Sequence, residues 1–183
     1  MGFRLVLLST LAAVSSLALG CAGSGAGANR PLPSYAGHAI ELFDDAIDPK
    51  AVGLDNDVHA DPRSDALLRE RAQVSDATLR VRVTTLTAKH DGSDTLYQMG
   101  VRTLENLGGP FPPDGDFTVV MGPRSASMGI VKNLEDAIVG KSFVAFIRAF
   151  VLPDGDRELH FHFAPDTKPE VAAVKEAMPK SEH

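Results

Sequence analysis

From Ser142 to Leu152 the chain is apolar on both faces that a strand would present. Phe143, Ala145, Ile147, Ala149 and Val151 fall on one face, and Val144, Phe146, Phe150 and Leu152 on the other, interrupted only by Arg148. A strand of this kind cannot face water on either side, so it belongs at the centre of a layered fold. Pro153-Asp154-Gly155-Asp156 then turns the chain, and Glu158 to Ala164 returns with Leu159, Phe161 and Phe163 alternating with His160 and His162. Pairing Val151 with Leu159, Ala149 with Phe161 and Ile147 with Phe163 keeps apolar partners on one side. That register sets Phe150 opposite His160 and Arg148 opposite His162.

The segments before this hairpin extend the pattern. Asp61-Pro62-Arg63-Ser64 opens a helix over Ser64–Gln73, with Ser64 or Asp65 as its cap. Leu79, Val81 and Val83 alternate with Arg80, Arg82 and Thr84, and Tyr97, Met99 and Val101 repeat the period after the Asp91-Gly92 turn. A Gly/Pro-rich loop, Gly108 to Gly115, precedes a short strand from Phe117 to Met121. Val131 to Val139 reads as a helix stopped by Gly140, and Lys168 to Met178 as a terminal helix with Pro169 in its first turn. The expected class is α+β and strand-dominated. Three strands, a helix and a hairpin over roughly residues 78–164 resemble the element order of the five-stranded antiparallel OB-type barrel, here with flanking helices. Another α+β sandwich is the alternative.

The other end of the chain carries different information. Arg4 precedes an apolar run from Leu5 to Leu19, and Ala18-Leu19-Gly20 leads into Cys21, the one cysteine of the sequence. The run falls short of the roughly 20 apolar residues needed to span a bilayer and contains Ser9, Thr10, Ser15 and Ser16. Met1-Gly2 lacks the Ser or Thr of a myristoylation signal, because Val6 stands there. Simple secretion would leave an unpaired thiol in an oxidising compartment. Gly20-Cys21 at this position resembles the lipobox of bacterial lipoproteins, although Ala18 stands where that family most often has Leu. The resemblance implies cleavage between Gly20 and Cys21, a diacylglyceryl group on the thiol and acylation of the new amino terminus. Two or three acyl chains would anchor the chain firmly, where one gives marginal binding. Ala22 after the cysteine implies the outer membrane in an organism that has one.

The expected organisation is a signal peptide over 1–20, a lipidated cysteine and Gly-rich tether over 21–37, an acidic lead-in over 38–61 and a globular β-rich domain over 62–180. In the lead-in, Ile40, Leu42, Phe43, Ala46 and Ile47 form a short apolar stripe suited to docking on the domain. Residues 61–178 are expected to fold without it. The chain carries a net charge of −6, and removal of residues 1–20 takes away only Arg4, giving −7. An acidic chain has no electrostatic affinity for nucleic acid or for anionic lipid, so membrane contact is expected through the acyl chains alone.

Among chemical constellations, the strand face bearing His160 and His162 stands out, since imidazoles at i and i+2 can chelate a divalent metal. A third ligand would have to come from His38, His59, Glu158 or the acidic lead-in. With Arg148, Phe146 and Phe150 on the same face, the histidines form a candidate binding patch, unless Ser64–Gln73 or Lys168–Met178 covers it. Asp55 to Asp61 departs from an EF-hand at His59 and Ala60 and lacks its closing Glu, which is Ala66. Gly140-Lys141-Ser142 lacks the earlier glycine of a phosphate loop, and Ser125 and Ser127 lack G-x-S-x-G spacing. The leading expectation is a lipid-anchored, non-catalytic binding or structural module of the cell envelope, with no cofactor and an unidentified envelope partner. The alternatives are a metal-dependent envelope protein using His160 and His162, and an envelope hydrolase without a readable motif.

Overall fold

Six strands form a single mixed sheet in the order β1-β6-β5-β2-β3-β4. The computed structural model describes residues 31–54, 61–92, 94–110, 112–113 and 115–179. The expected signal peptide over 1–20, Cys21, most of the expected tether, and residues 55–60 with His59 lie outside the described residues. Strand β1 is Ala46–Ile47, β2 Ala77–Asp91, β3 Asp94–Gly108, β4 Asp116–Met121, β5 Ser142–Val151 and β6 Arg157–Pro165. Helices α1 to α5 span His38–Leu42, Ala66–Val74, Met128–Asn133, Glu135–Ile138 and Lys168–Ala177. The class is therefore α+β and strand-dominated. Strands β5-β2-β3-β4 lie side by side as a Greek key, three hairpin-connected strands with the fourth returning beside the first.

The sheet is open and has six strands, where a five-stranded antiparallel barrel was expected. Its additional strand comes from the acidic segment: Ala46 and Ile47 pair in parallel with His162 and Phe163 on the free edge of β6. Asp45 N–H donates to Phe161 O at 2.9 Å and Asp48 N–H to Phe163 O at 2.8 Å, continuing that edge. No periodicity signalled a strand only two residues long.

Strand β5 lies between β6 and β2, and Phe143 to Ile147 are buried on both faces, as its two-sided apolar pattern requires. On one side Leu79, Val81, Val83, Met99, Val101, Phe143, Phe161 and Phe163 form a core closed by Val131 of α3 and Ile138 of α4. On the other side Val144, Phe146, Phe150 and Ala164 meet Leu68 and Ala72 of α2, Ala173 and Val174 of α5, and Leu42 and Phe43. From Pro31 onward the chain forms one compact unit. The acidic segment is thus built into the domain: Phe43, Ile47 and Ala51 are buried, and the boundary expected near residue 62 is displaced to before residue 42.

Of the two caps open to α2, Asp65 serves and Ser64 does not, and α5 has a cap that the sequence reading did not name. The Asp65 carboxylate accepts from Leu68 N–H at 3.1 Å and starts α2. Thr167 Oγ1 accepts from Glu170 N–H at 3.3 Å and starts α5. The segment expected as one helix over Val131–Val139 is two short ones, broken at Leu134. At the end of β3, Gly109 has φ +102, and a Cβ there would lie 2.5 Å from Asp76 O, so this crossing requires glycine.

The β5–β6 register differs from expectation by two residues. Arg148 faces His160, Phe146 faces His162, Ile147 faces Phe161 and Val151 faces Arg157. The loop is tighter than assumed: Leu152 N–H donates to Asp156 O at 2.8 Å, and Gly155, at φ +93, closes the turn through its N–H to Leu152 O at 2.9 Å. A shift of two preserves side-chain faces, so the division into two sides survives. Leu159, placed on the core side, lies beyond the edge of the core and is 60% exposed.

Glu170 brings a pH dependence to α5. Burial, then the charges of Asp48 and Asp65, push its carboxyl up to about 7 from 4.5, with Lys50 opposing. The folded state then holds this proton when the unfolded chain has already released it. Stability is unaffected below about pH 4.5, falls as the pH rises towards 7 and stays reduced above it. Discounted for partial exposure, the loss amounts to about 1–2 kcal/mol. Glu170→Gln should raise the melting temperature at pH 8 and leave it unchanged at pH 4.

Candidate functional site

The side of the last hairpin bearing His160 and His162 is closed. Phe146 and Phe150 are fully buried beneath α1, α2 and α5, and His160 and His162 are 5% and 7% exposed. Phe146, Phe150, His160 and His162 of the expected patch are therefore a packing surface, while Arg148 is half-buried with its guanidinium 5.6 Å from the centre of the Phe150 ring. The cover of this surface includes the helices named from sequence, joined by Tyr35 and the α1 segment.

Each histidine is held by an aspartate from the turn between α1 and β1. His160 Nδ1 is 2.8 Å from Asp45 Oδ2, and His162 Nδ1 is 2.8 Å from Asp44 Oδ1. The second Asp45 oxygen accepts from Phe161 N–H at 3.1 Å. Asp45 reaches this position with φ +52, a left-handed conformation that Asp tolerates better than most residues. The Tyr35 ring stacks on His160 with centroids 3.4 Å apart and planes 7° from parallel, and its hydroxyl donates to Phe43 O at 2.6 Å. Burial, followed by the charges of Asp45, Asp44 and Glu158, pushes the Tyr35 phenol well above its usual range, so it remains a donor. Phe150 meets His160 edge-on at 5.7 Å.

Arg71 fixes the same turn from α2. Its Nε donates to Leu42 O at 2.7 Å and its Nη2 to Glu41 O at 3.1 Å, satisfying carbonyls at the end of α1. Burial lowers its pKa, against opposing charges led by Asp44. Ser127 fixes β1 from the other core: its Oγ accepts from Ile47 N–H at 2.6 Å and donates to Ile47 O at 3.0 Å. Ser125 Oγ donates to Asp45 O at 2.6 Å. Both serines, weighed in the sequence for nucleophilic spacing, hold backbone.

This geometry constrains metal chemistry. The Nδ1 atoms of both histidines face carboxylates, the arrangement that orients a metal-ligating imidazole through its other nitrogen. His160 Nε2 is buried with no hydrogen-bond partner among the described residues and stands 3.8 Å from Glu158 Oε2. Of the ligands expected to complete a site, His38 lies elsewhere, between Glu41 and Glu70 at 2.9 Å each. His59 lies outside the described residues. Among the described residues no three His, Cys, Asp or Glu side chains are grouped to hold a metal ion. The acidic segment does reach the histidines, through Asp44 and Asp45, but as partners of Nδ1.

Gly140-Lys141-Ser142 is a turn into β5, with Gly140 N–H donating to Val83 O at 2.9 Å and Val83 N–H to Lys141 O at 3.0 Å. No helix among the described residues is long and apolar enough to cross a membrane. No family model, curated protein or solved structure matches this chain. Sequence reasoning missed Tyr35, Asp44, Asp45 and Arg71. The adjacent acids Asp44-Asp45 after an apolar Leu42-Phe43 pair were the readable signal.

Proposed function

We propose that this is a lipid-anchored cell-envelope protein, held to the membrane by acyl chains on Cys21, with a non-catalytic binding or structural domain. The observation that carries this reading is the Gly20-Cys21 lipobox, with the one cysteine of the chain at the end of an apolar leader. Ala22 favours the outer membrane where the host has one. In keeping with a non-catalytic role, both hairpin histidines are buried and pinned to aspartates at 2.8 Å. The five long strands, with α3 and α4 between β4 and β5, follow the OB-type order, and we read them as such a barrel opened along the β6 edge that β1 occupies.

Cys21→Ala should abolish incorporation of radiolabelled palmitate in a bacterial host and leave unprocessed precursor or released soluble protein. Wild-type chain that never takes up the label would end the lipoprotein reading. A second reading, divalent-metal binding at His160, rests on the buried Nε2, which stands beside Glu158 with no hydrogen-bond partner among the described residues. Stoichiometric zinc, copper or iron in the purified full chain, lost in His160→Ala, would replace the non-catalytic reading with that one.

A further inference from the structure

The cleft between the start of α5 and the outer side of β2 gathers positive charge in a protein that is otherwise acidic. It encloses about 410 Å³, with Arg80, Asp166, Lys168, Val171 and Lys175 in its wall. Small-molecule sites occupy roughly 300–1,000 Å³. Arg80 is locked as a fork: Nε and Nη2 donate to the two Asp166 oxygens at 2.8 and 2.9 Å, and Nη1 donates to Glu105 at 3.0 Å. The Asp166 side chain is only 8% exposed, so the fork is anchored from within the fold. A guanidinium carries five N–H donors, and these three bonds leave others available. Lys175 Nζ donates to the second Glu105 oxygen at 2.8 Å. Lys168 makes no ion pair among the described residues. Three cations against Asp166 and Glu105 leave one positive charge, and the first turn of α5 adds the positive pole of its helix. Val171 and Ala172 give the cleft an apolar wall.

We propose that this cleft binds a small organic oxyanion. Its carboxylate or phosphate head is met by Lys168, Lys175 and the free donors of Arg80, and its short apolar body lies along Val171. The fixed guanidinium supplies orientation, and Lys168 supplies the one positive charge that Asp166 and Glu105 do not cancel. This site is independent of membrane anchoring and of the histidine face.

Full-length protein in detergent, titrated by calorimetry at fixed ionic strength with acetate, butyrate and inorganic phosphate, tests the assignment. Saturable binding is expected, with butyrate tighter than acetate by up to about fourfold per added methylene. Phosphate tighter than both carboxylates would assign a phosphate head, and the reverse order a carboxylate head. The Lys168→Ala/Lys175→Ala double variant should weaken binding at least about tenfold, while Lys132→Ala, on α3, should bind as wild type. Both lysines of the cleft are exposed, so circular dichroism of the double variant should be unchanged, and Lys168→Glu alone provides a second folded variant in which binding should fall. No saturation with any probe, or equal binding by wild type and the folded lysine variants, would overturn the proposal.

Discussion

A chain truncated to begin at residue 61 should fail to fold. Leu42, Phe43 and Ile47 are 4%, 0% and 1% exposed, and all three would be lost. Burial of a large aliphatic or aromatic side chain contributes about 1.5–3 kcal/mol, so the three together contribute about 5–9 kcal/mol. Domains of this size are stable by only about 5–15 kcal/mol in total. The truncation also strips Tyr35 and Phe43 from Phe150, removes the partners of His160 and His162, and bares the β6 edge. Far-ultraviolet circular dichroism and denaturant titration of chains starting at residues 31 and 61 provide the test. A cooperative transition of undiminished midpoint in the shorter chain would show that the acidic segment is dispensable. The sequence pattern alone had pointed that way, and the burial of Phe43 and Ile47 is what reverses it.

The second large effect is expected at Asp45. Asp45→Ala leaves the buried His160 imidazole without its Nδ1 partner and Phe161 N–H without its acceptor. Each unsatisfied buried group costs about 1–3 kcal/mol, so the total for the two should reach about 2–6 kcal/mol. Alanine also tolerates the left-handed backbone at φ +52 less well than aspartate does. Asp45→Asn keeps an acceptor oxygen and a residue suited to that conformation, and should retain more than half of the lost stability. Asp44→Ala, which removes the one hydrogen bond to His162, should cost less than Asp45→Ala, which removes two. Urea denaturation of the three variants gives the ranking directly. Equal stability of Asp45→Ala and wild type would mean that the histidine–aspartate pairs do not fasten the α1–β1 turn.

Much of the architecture was legible because each long element carries a period that only one structure satisfies. The two-sided apolar run of β5 demanded a central strand, and β5 lies between β6 and β2 with both faces buried. Leu79, Val81 and Val83 alternated, and all three face one core. The two-residue register error at β5–β6 left the assignment of faces intact, because side chains repeat every two residues. Turn length sets register, and Pro153-Asp154-Gly155-Asp156 fixes that there is a turn without fixing how tightly it closes.

The sequence by itself determined the strand-dominated α+β class, the helices beginning near Asp65 and at Lys168, and the two faces of the last hairpin, all of which follow from local spacing. Only the tertiary structure decided what those faces meet. His160 and His162 alternate with Phe161 in the same way whether they look out at solvent or inward at a helix layer. The choice was made by Asp44, Asp45 and Tyr35, some 115 to 125 residues earlier in the chain. Contacts across such separations leave no period in a sequence, since they depend on where β1 comes to rest against the edge of β6.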